Sequence, residues 1–128
     1  MNLDWYNTLN KPLLTPQAEV FPAVWTILYI LIFLSLIIFV TAKSLNTKTK
    51  GIILFIIQIF LNFFWSPIFF YWKNISLAFL VIILLDLFVI LTIQEFYKVS
   101  KIASMFLIPY LLWILFATYL TFAFMILN

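Results

Sequence analysis

The sequence predicts an all-α integral membrane protein, a bundle of four transmembrane helices, on three observations. Of the 128 residues, 67% are apolar and only 9% are charged, where a soluble domain runs near half and about a quarter. Four stretches are each long enough to cross a hydrocarbon core about 30 Å thick. The lysines cluster in the short connections between those stretches. A sphere this small cannot hide so much apolar surface from water, but a bilayer can. Soluble enzyme, nucleic-acid binder and disordered tail are excluded at this step.

The elements follow in order. Residues 1–19, MNLDWYNTLNKPLLTPQAE, contain two prolines, two acids and the adjacent Trp5 and Tyr6. They lack the basic start and apolar run of a signal peptide, and are expected at the interface, where Trp and Tyr rings settle. A first span runs from Val20 to Ala42 without a charge. Pro22 sits near its start, where a missing N–H costs nothing. The other spans are expected at about 51–72, 74–97 and 102–127, all within a single membrane domain. The connections are short, so consecutive helices are expected side by side and antiparallel. Pro67 and Pro109 fall inside the second and fourth spans and should kink them or free a carbonyl.

Lysine placement gives orientation. Lys43, Lys48, Lys50, Lys98 and Lys101 lie on one side, against Lys11 and Lys73 on the other. Cytoplasmic loops collect the positive charge, so both termini are expected outside. Phe-, Ile-, Asn- and Lys-rich usage without Arg favours a bacterial inner membrane over a mitochondrion.

Absent residue types narrow the chemistry. There is no Cys and no His, and Gly occurs once, at Gly51. Disulfides, thiol nucleophiles, the usual general base, the commonest metal ligand and any Gly-rich phosphate loop go with them. No catalytic residue, metal site or required cofactor is predicted.

Polar groups inside spans are costly, so their positions carry information. Gln58, Asn62, Trp65, Ser66 and Phe69 share one helical face, as do Tyr110, Trp113, Ala117 and Thr121, and Trp25 and Tyr29 share a third. These stripes suit an aromatic cavity whose few polar groups orient a ligand. They suit ordinary interhelical hydrogen bonds and aromatic belts as well. Asp86, midway along the third span, must face the interior, meet a donor or be protonated. It marks either a proton- or cation-coupled site or a packing contact.

Three blocks carry a family resemblance: WYNTLNKPLLTPQAEVFPAVWTILY (Trp5 to Tyr29), QIFLNFFWSPIFF (Gln58 to Phe70) and PYLLWILFATYLTFAFMILN (Pro109 to Asn128). With KVS at Lys98 to Ser100 they cover nearly the whole chain in order. The chain resembles the TspO/MBR family, the tryptophan-rich sensory and mitochondrial translocator (peripheral benzodiazepine receptor) proteins. The resemblance implies a membrane protein that binds porphyrins or other flat hydrophobic ligands in a pocket between helices. By position, Trp25, Tyr29, Asn62, Trp65, Tyr110, Trp113, Ala117 and Leu120 would line it. Gln58 and Asn62 would meet the ligand's polar edge, and Lys11 a propionate. The family has five helices, and the one expected to be lacking here precedes Trp5. Its proline pair is reduced to Thr15-Pro16-Gln17. Phe122 stands at a position often held by Trp or Tyr, and Ile126 replaces the basic residue that completes the animal cholesterol-recognition pattern, which argues against cholesterol binding through that pattern. Photo-oxidative porphyrin degradation, proposed for some members through pocket tryptophans, is weakened by Phe122.

The expected function is therefore tetrapyrrole binding, transport or sensing, with the bilayer and a hydrophobic small molecule as partners and a homodimer as a further candidate. The rivals are a small proton-coupled transporter built around Asp86, and a truncated chain that is either non-functional or an assembly partner. Four-helix exporters keep an acid in their first helix and small residues at their seams. The first span here has no acid.

Overall fold

The computed structural model describes residues 3–8, 20–70 and 72–128. Six helices account for nearly all of them: α1 (Leu3–Thr8), α2 (Val20–Thr41), α3 (Thr49–Phe70), α4 (Ile75–Val99), α5 (Lys101–Phe106) and α6 (Ile108–Leu127). Of the N-terminal segment, only α1 falls among the described residues; Lys11 and Thr15-Pro16-Gln17 lie outside them. Four helical stretches are long and apolar enough to cross a membrane: one in α2, one in α3, α4, and α5 with α6 taken together. The chain is a helical membrane bundle.

Local chemistry sets the helix ends. The Asn74 side chain accepts from the Leu77 N–H at 3.0 Å and caps α4. Ser100 ends α4 through its N–H on the Phe96 carbonyl at 2.8 Å, and its hydroxyl accepts from Ala103 N–H at 3.2 Å to start α5. One residue thus stops one helix and caps the next. The fourth span is broken at Leu107, whose N–H turns back to the Ser104 carbonyl at 3.1 Å. Pro109, two residues on, has no N–H to give Met105, so the ladder cannot run through. Pro67, by contrast, is carried inside an unbroken α3.

Lys73 closes α3 with φ of 57°, in the left-handed region. That conformation costs an L-residue about 1–2 kcal/mol and glycine nothing. Lys73→Gly is therefore expected to stabilise the bundle by about 0.5–1 kcal/mol after glycine's extra chain entropy is deducted. A rise in the midpoint of detergent unfolding checks it; no change, or a fall, refutes it.

In the packing, α3 lies on α4, α4 on α5 and α6, and α2 on α5 and the adjoining part of α6. The close approach of α2 to α5 uses small residues: the buried Ser35 hydroxyl donates to the Ala103 carbonyl at 2.6 Å. The expectation that consecutive helices lie side by side fails for α2 and α3, whose backbones do not pack closely. They meet through rings, Tyr29 on Phe63 at 5.9 Å between centroids and Phe33 on Phe55 at 6.5 Å. Side chains of that size hold two helix axes apart, and the space between them is where the candidate site forms.

The two lysine-bearing connections share one end of the bundle. Asn46 Nδ2 donates to the Lys98 carbonyl at 2.8 Å. Lys48 Nζ donates to the Ala42 and Val40 carbonyls at 2.6 and 2.9 Å, a cation on the open carbonyls of a helix C-terminus.

Candidate ligand-binding site

The site lies between α2, α3 and α6. Trp25 and Tyr29, four residues apart, project from one face of α2, and Gln58, Asn62 and Trp65 from one face of α3. Tyr110 comes from the first turns of α6, just after the Pro109 break. Trp25 stacks obliquely on Tyr29 at 5.6 Å and meets Tyr110 edge-on at 6.3 Å. Trp65 stacks on Phe69 at 5.4 Å, and Trp5 of α1 closes over Phe69 edge-on at 5.3 Å. These aromatic contacts are individually worth about 0.5–1.5 kcal/mol and fix the rings as walls. The cavity they leave has a volume of about 100 Å³ and is lined by Trp25, Tyr29, Asn62, Trp65 and Ser66.

Behind the rings runs a chain of hydrogen bonds across three helices. The Tyr29 hydroxyl donates to Asn62 Oδ1. Asn62 Nδ2 donates to the Tyr110 hydroxyl at 3.0 Å, and Tyr110 donates to Gln58 Oε1 at 2.7 Å. Asn62, Gln58 and Tyr110 are all buried, where a polar group left unpaired costs about 1–3 kcal/mol. The Gln58 amide nitrogen has no partner among the described residues.

A cavity walled by two tryptophans and a tyrosine, backed by one amide, is suited to a flat apolar molecule with a polar edge. Comparison with known proteins places the chain in a family. The model of the TspO/MBR family matches residues 1–127. The chain belongs to that family. It is 42% identical over 130 residues to the tryptophan-rich protein TspO of Chlorobaculum tepidum, covering 97% of this chain and 79% of that protein. To the Archaeoglobus fulgidus protein of the same name it is 44% identical, covering 97% and 80%. To the human translocator protein it is 32% identical, covering 94% and 72%.

Within this TspO/MBR chain, the residues proposed for the pocket separate into groups. Trp25, Tyr29, Asn62 and Trp65 line the cavity together. Tyr110 and Gln58 stand behind them as the far half of the polar chain. Ala117 and Leu120 are buried in the core and do not line the cavity. Trp113 is half-buried and packs on Phe116 at 5.6 Å, also away from it. Ser66 belongs to the lining, as its place on the polar face of α3 allows.

Asp86 sits elsewhere, between α4 and α6. The Thr118 hydroxyl lies 2.6 Å from Asp86 Oδ2 and 2.7 Å from the Ile114 carbonyl of its own helix. Thr118 does not stand out in the sequence by type or spacing. Its signal was available: an acid in mid-span needs a donor at its own depth on a neighbouring helix. Among the described residues no group of three His, Cys, Asp or Glu is placed to hold a metal ion.

Proposed function

We propose that the aromatic cavity binds a flat hydrophobic ligand of the tetrapyrrole type, taken up sideways from the bilayer. One observation carries this: two tryptophans and a tyrosine converge on a cavity whose back wall is a hydrogen-bonded amide. Ring faces supply stacking, and the Asn62 and Tyr29 groups supply the polar contact that fixes orientation. At about 100 Å³ the cavity is smaller than the one of about 150 Å³ known to take a single benzene ring. A macrocycle therefore enters only as α2 and α3 part. That seam is suited to opening, because between the described residues it is held by side chains, the Tyr29–Asn62 hydrogen bond among them, rather than by close backbone packing. The names of the relatives, sensory and translocator proteins, suggest what binding serves: detection of the ligand or its passage. No bond-breaking step is assigned to any residue. The excess of lysines at one end supports a cytoplasmic side there, in a bacterial inner membrane with both termini outside.

The test is a titration of purified protein in nanodiscs with protoporphyrin, followed by tryptophan fluorescence. Saturable quenching is expected, with Trp65→Phe weakening affinity about threefold to tenfold, the worth of one aromatic contact. Absence of saturable quenching at micromolar porphyrin overturns the reading.

A further inference from the structure

We propose that Gln58, which does not line the cavity, decides which hydrogen-bonding edge of a ligand the pocket accepts, by terminating a polar chain that can run in either direction. The inference rests on the ligand-binding reading above.

In the observed direction each group donates inward: Tyr29 to Asn62, Asn62 to Tyr110, Tyr110 to Gln58. The chain ends on Gln58 Oε1, and both hydrogens of Gln58 Nε2 are buried without a partner among the described residues. At the cavity end, the hydrogen of Tyr29 is spent on Asn62, so the Tyr29 hydroxyl offers a ligand only lone pairs. This direction suits a ligand with an N–H or O–H edge.

The amides of Asn62 and Gln58 are near-symmetric in shape, and a half-turn of each exchanges donor for acceptor without repacking. The same three contacts then form in the opposite sense. Gln58 Nε2 donates to Tyr110, Tyr110 to Asn62 Oδ1, and Asn62 Nδ2 to Tyr29, whose own hydrogen is released toward the cavity. A ligand carbonyl or carboxyl oxygen takes it. At Gln58 the forward chain leaves two buried N–H donors unpaired. The reversed chain with an acceptor ligand leaves one there, and gives up the partner of the Gln58 carbonyl, the milder loss for a buried group. A planar ligand with a carbonyl edge is thereby matched to the reversed chain.

This assigns Gln58 as a positioning residue with a signed effect. With Gln58→Leu, the Tyr110 hydrogen has Asn62 as its one remaining partner in the chain, which fixes the reversed direction. The pocket then favours acceptors. Gln58→Glu keeps an oxygen facing Tyr110, so the forward direction survives.

The experiment uses two bicyclic probes of similar size, 1-indanone (a carbonyl acceptor) and indole (an N–H donor), titrated calorimetrically into protein in nanodiscs against empty nanodiscs. The ratio of indanone to indole affinity is expected to rise about threefold to tenfold in Gln58→Leu, the worth of one hydrogen bond. In Gln58→Glu it should stay at or below the wild-type value. A variant that merely loosens the fold weakens both probes and leaves the ratio alone. Independently of any Gln58 variant, the carbonyl stretch of bound 1-indanone in wild type should fall below its frequency in lipid, and Tyr29→Phe should abolish that shift. An unchanged ratio in Gln58→Leu, or an unshifted carbonyl band, overturns the inference. If protoporphyrin quenches saturably while either of those negative results is obtained, the chain reversal alone is wrong. If protoporphyrin, indanone and indole all fail to bind, the pocket reading falls and takes this inference with it.

Discussion

Phe96→Ala is expected to destabilise the bundle by about 3 kcal/mol, the largest effect of a single core truncation here. Phe96 of α4 is fully buried and stacks on Phe39 of α2 at 4.0 Å and 7°, and on Phe55 of α3 at 6.0 Å and 7°. Three of the helices are joined through these parallel rings at the lysine-rich end. The neighbourhood is also tightly filled. A Cβ placed on Gly51 would lie 2.6 Å from Phe39 Cζ, so the Phe39 ring has no room on that side. The chain's one glycine is thus where α3 must give way to a ring from α2. Removing Phe96 leaves a void that its neighbours cannot fill without breaking their own contacts. The estimate is set at the bottom of the usual range of about 3–5 kcal/mol for Phe→Ala. The reason is that lipid, like the core, is apolar, so little transfer free energy is lost and the lost packing contacts dominate. The check is equilibrium unfolding in mixed micelles, beside Phe60→Ala on the exposed face of α3, which should change stability by under about 0.5 kcal/mol. Equal effects at the two positions would show that this core is not packed as described.

The contrast between Phe96 and Phe60 also marks how much the sequence disclosed. Helices were readable from the length of the apolar runs, because lipid tolerates little else. The faces were readable where a polar group interrupted a run: Gln58, Asn62 and Trp65 declared the inward side of α3. Nothing separated sixteen phenylalanines into core and lipid-facing sets, since both environments are apolar and hydrophobic periodicity vanishes. The site was legible as a set of stripes, but not as a chain. Which hydroxyl meets which amide depends on the relative heights and rotations of three helices, and no spacing within one helix encodes that. The separation of α2 from α3 was missed for a related reason. A short loop says that two helices are consecutive, whereas the rings of Tyr29, Phe33, Phe55 and Phe63 decide how near they come. Pro109 was seen as a kink, but the division of the last span at Leu107 also needed Ser100 to cap α5, two signals that a search for apolar runs merges into one helix.

Asn62→Leu is expected to lower protoporphyrin affinity at least tenfold while costing about 1–2 kcal/mol of stability. Leucine preserves the volume, so the change isolates the amide. Asn62 is the one group that both accepts from Tyr29 and donates to Tyr110, and its loss divides the chain. Tyr110 keeps its bond to Gln58, which limits the stability cost. Tyr29 loses its acceptor and with it the one described hydrogen bond holding α2 to the α3 face of the cavity. The free protein then spends less on closing the seam, an effect that by itself would help a ligand enter. Against that stand the missing polar anchor and a Tyr29 ring no longer held at the wall, which lower affinity through lost orientation. The second effect is expected to win, because an open apolar seam is filled by lipid tails as readily as by ligand. A double-mutant cycle decides between them. If Asn62 acts through Tyr29, then Tyr29→Phe on top of Asn62→Leu adds almost nothing, and the two single changes couple by about 1 kcal/mol. Additive losses would mean that each residue touches the ligand separately, and tighter binding in Asn62→Leu would mean that the seam, not the amide, limits what this pocket holds.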